Sequence, residues 1–136
     1  MVREIIKDTD FLSQKSAPAT IDDMPVALDL LDTLEANRDR CVGLAANMIG
    51  ELKCIIVFDN GGTPCVMFNP KILKTSGKYL AEESCLSLDG KRVAHRFENI
   101  QVRYKDMDFK SQIRTFSAFT AEIVQHEIDH CNGKII

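Results

Sequence analysis

The chain has 136 residues, a net charge of -3, 45% hydrophobic and 27% charged residues. That length supports one core, so a single domain over residues 1–136 is expected, and the balanced composition excludes a disordered chain. With no excess of Lys and Arg to neutralise phosphates, direct binding of nucleic acid is not expected.

Near the amino terminus Arg3, Glu4, Lys7, Asp8 and Asp10 interrupt every apolar run. No secretory signal core is present there, no later stretch approaches membrane-spanning length, and the cytoplasm is the expected compartment, with no membrane partner. From Met24 to Ala36 the apolar residues Met24, Ala27, Leu28, Leu31 and Leu34 recur at helical spacing, with Asp22 or Asp23 available as N-cap. An N-terminal amphipathic helix is predicted. Glu51 to Asp59 reads as a strand closed by Asn60-Gly61-Gly62, and Cys65 to Asn69 as its hairpin partner, stopped by Pro70. Further strands are predicted at Ile72 to Ser76 and at Ile100 to Tyr104, where apolar and polar residues alternate. At Ser117 to Cys131 the period changes. Phe119, Ile123, His126 and His130 follow steps of four, three and four, which is one face of a helix. The order of elements predicts an α+β domain, with antiparallel β-sheets packed around a central C-terminal helix.

The five cysteines, at 41, 54, 65, 85 and 131, are widely spread and form no C-x-x-C pair, so reduced thiols are expected. Cys54 and Cys65 lie in apolar strand-like runs and read as small hydrophobes. Cys85 instead lies in the polar segment Glu82-Glu83-Ser84-Cys85-Leu86-Ser87, where a core-filling role has less support.

The sharpest chemical signal is His126-Glu127-Ile128-Asp129-His130, an H-E-x-x-H pattern on a predicted helix. Residues four apart lie one turn apart on one side, so both imidazoles can face one ion with Glu127 beside it, a geometry suited to activating water. Glu127 is the expected acid-base group. Only six residues follow His130, and Cys131 points about 100° around the helix from it. A third ligand is therefore sought upstream, among His95, the four upstream cysteines and the acids.

Gly43 to Gly50, Glu83-Ser84-Cys85-Leu86-Ser87 and Gln125-His126-Glu127-Ile128-Asp129-His130 together resemble the three ordered motifs of the peptide deformylase family: G-x-G-φ-A-A-x-Q, E-G-C-L-S and Q-H-E-φ-D-H. The resemblance implies that Cys85, His126 and His130 hold one divalent metal, iron(II) first, with zinc, nickel or cobalt as other occupants. It implies removal of the formyl group from N-formylmethionyl nascent peptides and a transient association with the ribosome. It also implies that Leu86 lends a backbone N–H to the oxyanion hole and that Gly43 and Leu44 lie along the peptide cleft.

The sequence departs from the motifs in three places. Met48 stands where the family has a glutamine whose amide stabilises the tetrahedral intermediate, and loss of such a donor lowers turnover roughly a hundredfold to a thousandfold. The neighbouring amide of Asn47 is a weak candidate to replace it, since adjacent residues point in different directions. Cys41 and Ser84 replace motif glycines. Of the remaining polar residues, Glu122 reads first as an exposed helical glutamate, Arg96 as a substrate contact or a solvated side chain, and His95 as a surface histidine. Two alternatives share the metal: a homologue with little catalysis that binds peptide N-termini, and a small metallopeptidase.

Overall fold

The computed structural model describes residues 1–136. Its elements are a short helix α1 (Thr9–Leu12), α2 (Met24–Ala36), the strands β1 (Gly43–Ala45), β2 (Ile55–Asn60), β3 (Thr63–Cys85), β4 (Leu88–Lys105) and β5 (Ser111–Ser117), and α3 (Ala118–Cys131). In α2, Pro25 sits in the first turn, where its missing N–H costs nothing. The buried face of α2 is Ala27, Leu30, Thr33 and Leu34, whereas Leu28 is half exposed. The apolar stripe is thus rotated from the one the sequence suggests, with Leu30 rather than Leu28 in the core.

The strands form one antiparallel sheet in the order β1-β2-β3-β4-β5. The expected several sheets are a single one. Its two long members bend through register shifts at Phe68/Lys71, Ile72/Lys74 and Ser84/Cys85, and such bulges let one sheet curve around a helix. Pro70 does not end its strand as expected. It sits at the first of these shifts, where a missing N–H is tolerated, next to Asn69 with a φ of 53°. Asn69 compensates by pairing its amide with both backbone groups of Ala19 at 2.8 and 2.9 Å. The expected strands at 65–69 and 72–76 are therefore parts of β3, and the expected 100–104 strand is the far half of β4.

α3 packs on β1, β2, β4 and β5. Gln125 docks it to β4: its side chain accepts from Phe97 N–H and donates to Phe97 C=O, both at 2.9 Å. A cluster of 26 buried apolar residues, among them Phe58, Phe68, Leu44, Ile100 and Val124, fills the space between sheet and helices. No helix is long and apolar enough to cross a membrane.

Candidate metal centre and cleft

Because α3 lies across the sheet, its buried face meets the end of the β3-β4 hairpin. There His126 and His130 come from successive turns of α3, and Cys85 from the last residue of β3. The three ligand atoms lie within 4.8 Å of one another. His130 Nε2 is 3.1 Å from His126 Nε2 and 3.4 Å from Cys85 Sγ. Two imidazoles and a thiol converging in this way form a donor set suited to a first-row divalent ion, leaving a position open for water or substrate. The residues fit a metal.

His126 is turned towards the cluster by Glu83, whose Oε1 lies 2.8 Å from its Nδ1. Glu83 in turn is gripped by Arg96, with Nε to Oε2 at 2.8 Å and Nη2 to Oε1 at 2.7 Å. Arg96 also donates from Nη1 to Asp129 Oδ2 at 2.7 Å, so a single guanidinium ties the hairpin to α3. Burial opposes ionisation of Glu83, but the bonds from His126 and Arg96 outweigh it and pull its pKa down to about 2. Burial also disfavours charge on both histidines. Contact with Cys85 and Glu83 overcomes this at His126, whose pKa rises to about 10, while at His130 burial and the neighbouring charge of His126 bring it down to about 3. Between these two values His126 is charged and His130 neutral.

Glu127 is 4% exposed, and its Oε1 has no hydrogen-bond partner within the protein. Burial is the main cause that raises its pKa to about 7, the range that suits a group taking and returning a proton at neutral pH. Gly43 explains how the carboxylate fits. A Cβ there would stand 2.9 Å from both Glu127 Oε2 and Ile123 Cγ2, so any side chain at this position would force one or both of them to shift.

A cavity of about 580 Å³ opens over these groups, lined among others by Gly43, Met48, Cys85, Leu86, Ile123 and Glu127. Leu86 lies in the two-residue turn that joins β3 to β4. Leu44 is fully buried and does not line the cavity, whereas its neighbour Gly43, on the sheet edge formed by β1, does. Met48 is buried, and its Sδ accepts from Ala45 N–H at 3.5 Å. Asn47 is no substitute for a glutamine there: its amide donates to the C=O of His130 and of Leu12, at 3.1 and 3.4 Å, on the side away from the cavity. His95 is exposed, as read from the sequence.

Arg96 corrects the sequence reading most. It is 3% exposed and donates to two carboxylates and to the His95 carbonyl, neither in solvent nor free for substrate. Glu83 and Asp129 were missed as its partners. Both lie inside the motifs, but the link between them runs through the hairpin register that sets Arg92 opposite Glu83 and Arg96 opposite Tyr79, which no local spacing reveals. Glu122 is half-buried rather than exposed and accepts from the Tyr79 hydroxyl at 3.1 Å.

An α+β domain whose helix carries two histidines and an intervening glutamate, met by a cysteine across a cleft, is the architecture of a metallohydrolase. The model of the polypeptide deformylase family matches residues 2–136. A peptide deformylase of Clostridium beijerinckii is 53% identical over 136 residues, covering all of both chains. One of Dictyoglomus thermophilum is 36% identical over all of this chain and 91% of its own. Among solved structures, a class I type b peptide deformylase of Acinetobacter baumannii with Met-Ala-Ser bound superposes with a TM-score of 0.88 at 29% identity, covering 98% of this chain and 96% of that one. The enzyme of Thermotoga maritima superposes with a TM-score of 0.87 at 28% identity, covering 98% and 93%. This chain belongs to the peptide deformylase family. It is a hydrolase of that metal-dependent family.

Proposed function

We propose that this chain, acting as one domain over residues 1–136, removes the formyl group from N-formylmethionyl nascent peptides in the cytoplasm, with a transient ribosome association. One observation carries the reading: three ligand atoms within 4.8 Å of one another beside a buried carboxylate that lines the same cavity. In this reading Cys85, His126 and His130 of the H-E-x-x-H helix hold one divalent ion, iron(II) first, with zinc, nickel or cobalt as alternatives. Such an ion supplies Lewis acidity, lowering the pKa of a water and polarising a carbonyl.

Glu127 takes the proton from the water that attacks the formyl carbon and delivers it to the amine as the C–N bond breaks, releasing formate and a free amino terminus. A pKa near neutrality lets one carboxylate do both. Leu86 N–H donates to the developing oxyanion. Gly43 and Leu44 offer the free backbone edge of β1 to the extended peptide. The Met-Ala-Ser bound to the A. baumannii enzyme supports a peptide of this kind as ligand.

Met48 favours a second reading in which binding survives and turnover is low, because a thioether offers no hydrogen-bond donor to the oxyanion. Release of formate from formyl-Met-Ala by anaerobic, iron-loaded protein tests both. Met48→Gln is expected to raise turnover by roughly a hundredfold if the missing amide limits the rate. No formate from either protein would overturn the deformylase reading.

A further inference from the structure

β1 is an edge strand, and its register decides which of its backbone groups are free. Val42 C=O accepts from Asp59 N–H at 2.9 Å. Hydrogen-bonded and non-hydrogen-bonded pairs alternate along an antiparallel ladder. Gly43, opposite Phe58, therefore turns its N–H and C=O away from β2, and Ala45, opposite Ile56, does the same with its N–H. These are the groups an added strand would pair with. Two of them are already taken, both by sulfur. The Cys41 thiol donates to Gly43 C=O at 2.9 Å, and Met48 Sδ accepts from Ala45 N–H at 3.5 Å. Cys41 and Met48 are also two of the three residues at which the chain departs from the family motifs, and both line the cavity with Gly43. Burial, followed by the Glu127 carboxylate, pushes the Cys41 pKa up to about 12, so the sulfur keeps the proton that makes it a donor.

We propose that Cys41 sets the affinity of the cleft for a peptide backbone: its thiol competes with the substrate for the Gly43 carbonyl, raising KM and leaving the chemical step alone. This rests on the deformylase reading. An extended peptide laid along β1 brings a backbone N–H to Gly43 C=O, and that N–H is a stronger donor than a thiol. The carbonyl oxygen has two lone pairs, so the thiol weakens the peptide's bond without shutting the peptide out. A glycine at position 41, as in the motif, would leave the carbonyl open. The competition is felt equally by the bound peptide and by the transition state, which is why it acts on KM and not on kcat.

Steady-state kinetics of metal-loaded protein on formyl-Met-Ala-Ser test this, beside calorimetric titration with Met-Ala-Ser, which needs no turnover. Cys41→Ala is expected to lower KM and the Met-Ala-Ser Kd by about threefold with kcat unchanged, the size of one weak neutral hydrogen bond. Cys41→Ser retains a donor and is expected to keep both constants at or above the wild-type values. In infrared spectra the S–H band of Cys41, identified by its loss in Cys41→Ser, is expected to move to higher frequency when Met-Ala-Ser binds, as the thiol releases the carbonyl. An unchanged KM in Cys41→Ala, an equal fall in Cys41→Ser, or an S–H band that the peptide does not move would overturn the inference while leaving the deformylase reading intact. No formate from the wild type, with Met-Ala-Ser still bound more tightly by Cys41→Ala, would overturn the deformylase reading and leave the competition at Gly43 standing. Neither formate nor peptide binding in any of the proteins would overturn both.

Discussion

Replacing Arg96 with methionine keeps the apolar stem and removes three charge-assisted bonds, two to Glu83 and one to Asp129, all between 2.7 and 2.8 Å. Arg96 and Glu83 are 3% and 7% exposed, so water does not replace the lost partner. Glu83 would keep only His126, and Asp129 only Lys134 at 3.7 Å, itself largely exposed. Breaking a buried pair in this way costs about 3–5 kcal/mol, because a charge remains without compensation. That is a large fraction of the roughly 5–15 kcal/mol that holds a domain together. With a urea slope of about 2 kcal/mol per molar, the unfolding midpoint is expected to fall by about 2 M. Glu83→Gln in the Arg96→Met background should cost less than Glu83→Gln alone, with a coupling of at least about 1 kcal/mol. Because Glu83 orients His126, metal affinity measured by competition with a chelator is expected to drop about 10- to 100-fold in Arg96→Met. A midpoint shift below about 0.5 M, or strict additivity in the cycle, would refute the reasoning.

Gly43→Ala places a Cβ 2.9 Å from Glu127 Oε2 and Ile123 Cγ2; it is expected to cost about 1–3 kcal/mol in urea unfolding and to lower kcat by displacing the carboxylate, and wild-type values for both would show that the contact is easily relieved. The pKa of Glu83 is depressed in the folded protein to about 2, below an unfolded value of about 4.3. Its stabilisation, about 3 kcal/mol, is therefore fully present above the unfolded pKa and is lost as pH falls from there through the folded value. Unfolding midpoints taken from about pH 5 down to about pH 2 should fall less steeply for Glu83→Gln than for the wild type, and parallel curves would exclude Glu83 as the source. Cys85→Ser is expected to abolish stoichiometric metal by elemental analysis, and full retention would remove Cys85 from the ligand set.

Local pattern carried much of the site. His126, Glu127 and His130 are legible because a helix repeats every 3.6 residues, so a four-residue spacing brings two side chains to one place wherever the helix packs. The long strands Thr63–Cys85 and Leu88–Lys105 were visible only in part, and β5 was missed altogether. Ser111–Ser117 is a polar edge strand with just Phe116 buried, so it has no apolar alternation to betray it. Leu28 and Pro70 misled for related reasons: the first belongs to a stripe whose rotation is set by what it packs against, the second to a bulge rather than a strand end.

The sequence by itself determined the chemistry available to this protein: two histidines and a glutamate on one helix face, a cysteine upstream, and a methionine in place of an amide. Tertiary structure decided which of five cysteines meets the histidines, that the Asn47 amide turns away, and that Arg96 locks the hairpin to α3. Those choices depend on the register of β3 against β4 and on the docking of α3 across the sheet. Contacts between residues dozens of positions apart are selected by burying the whole core at once, and no local spacing encodes them.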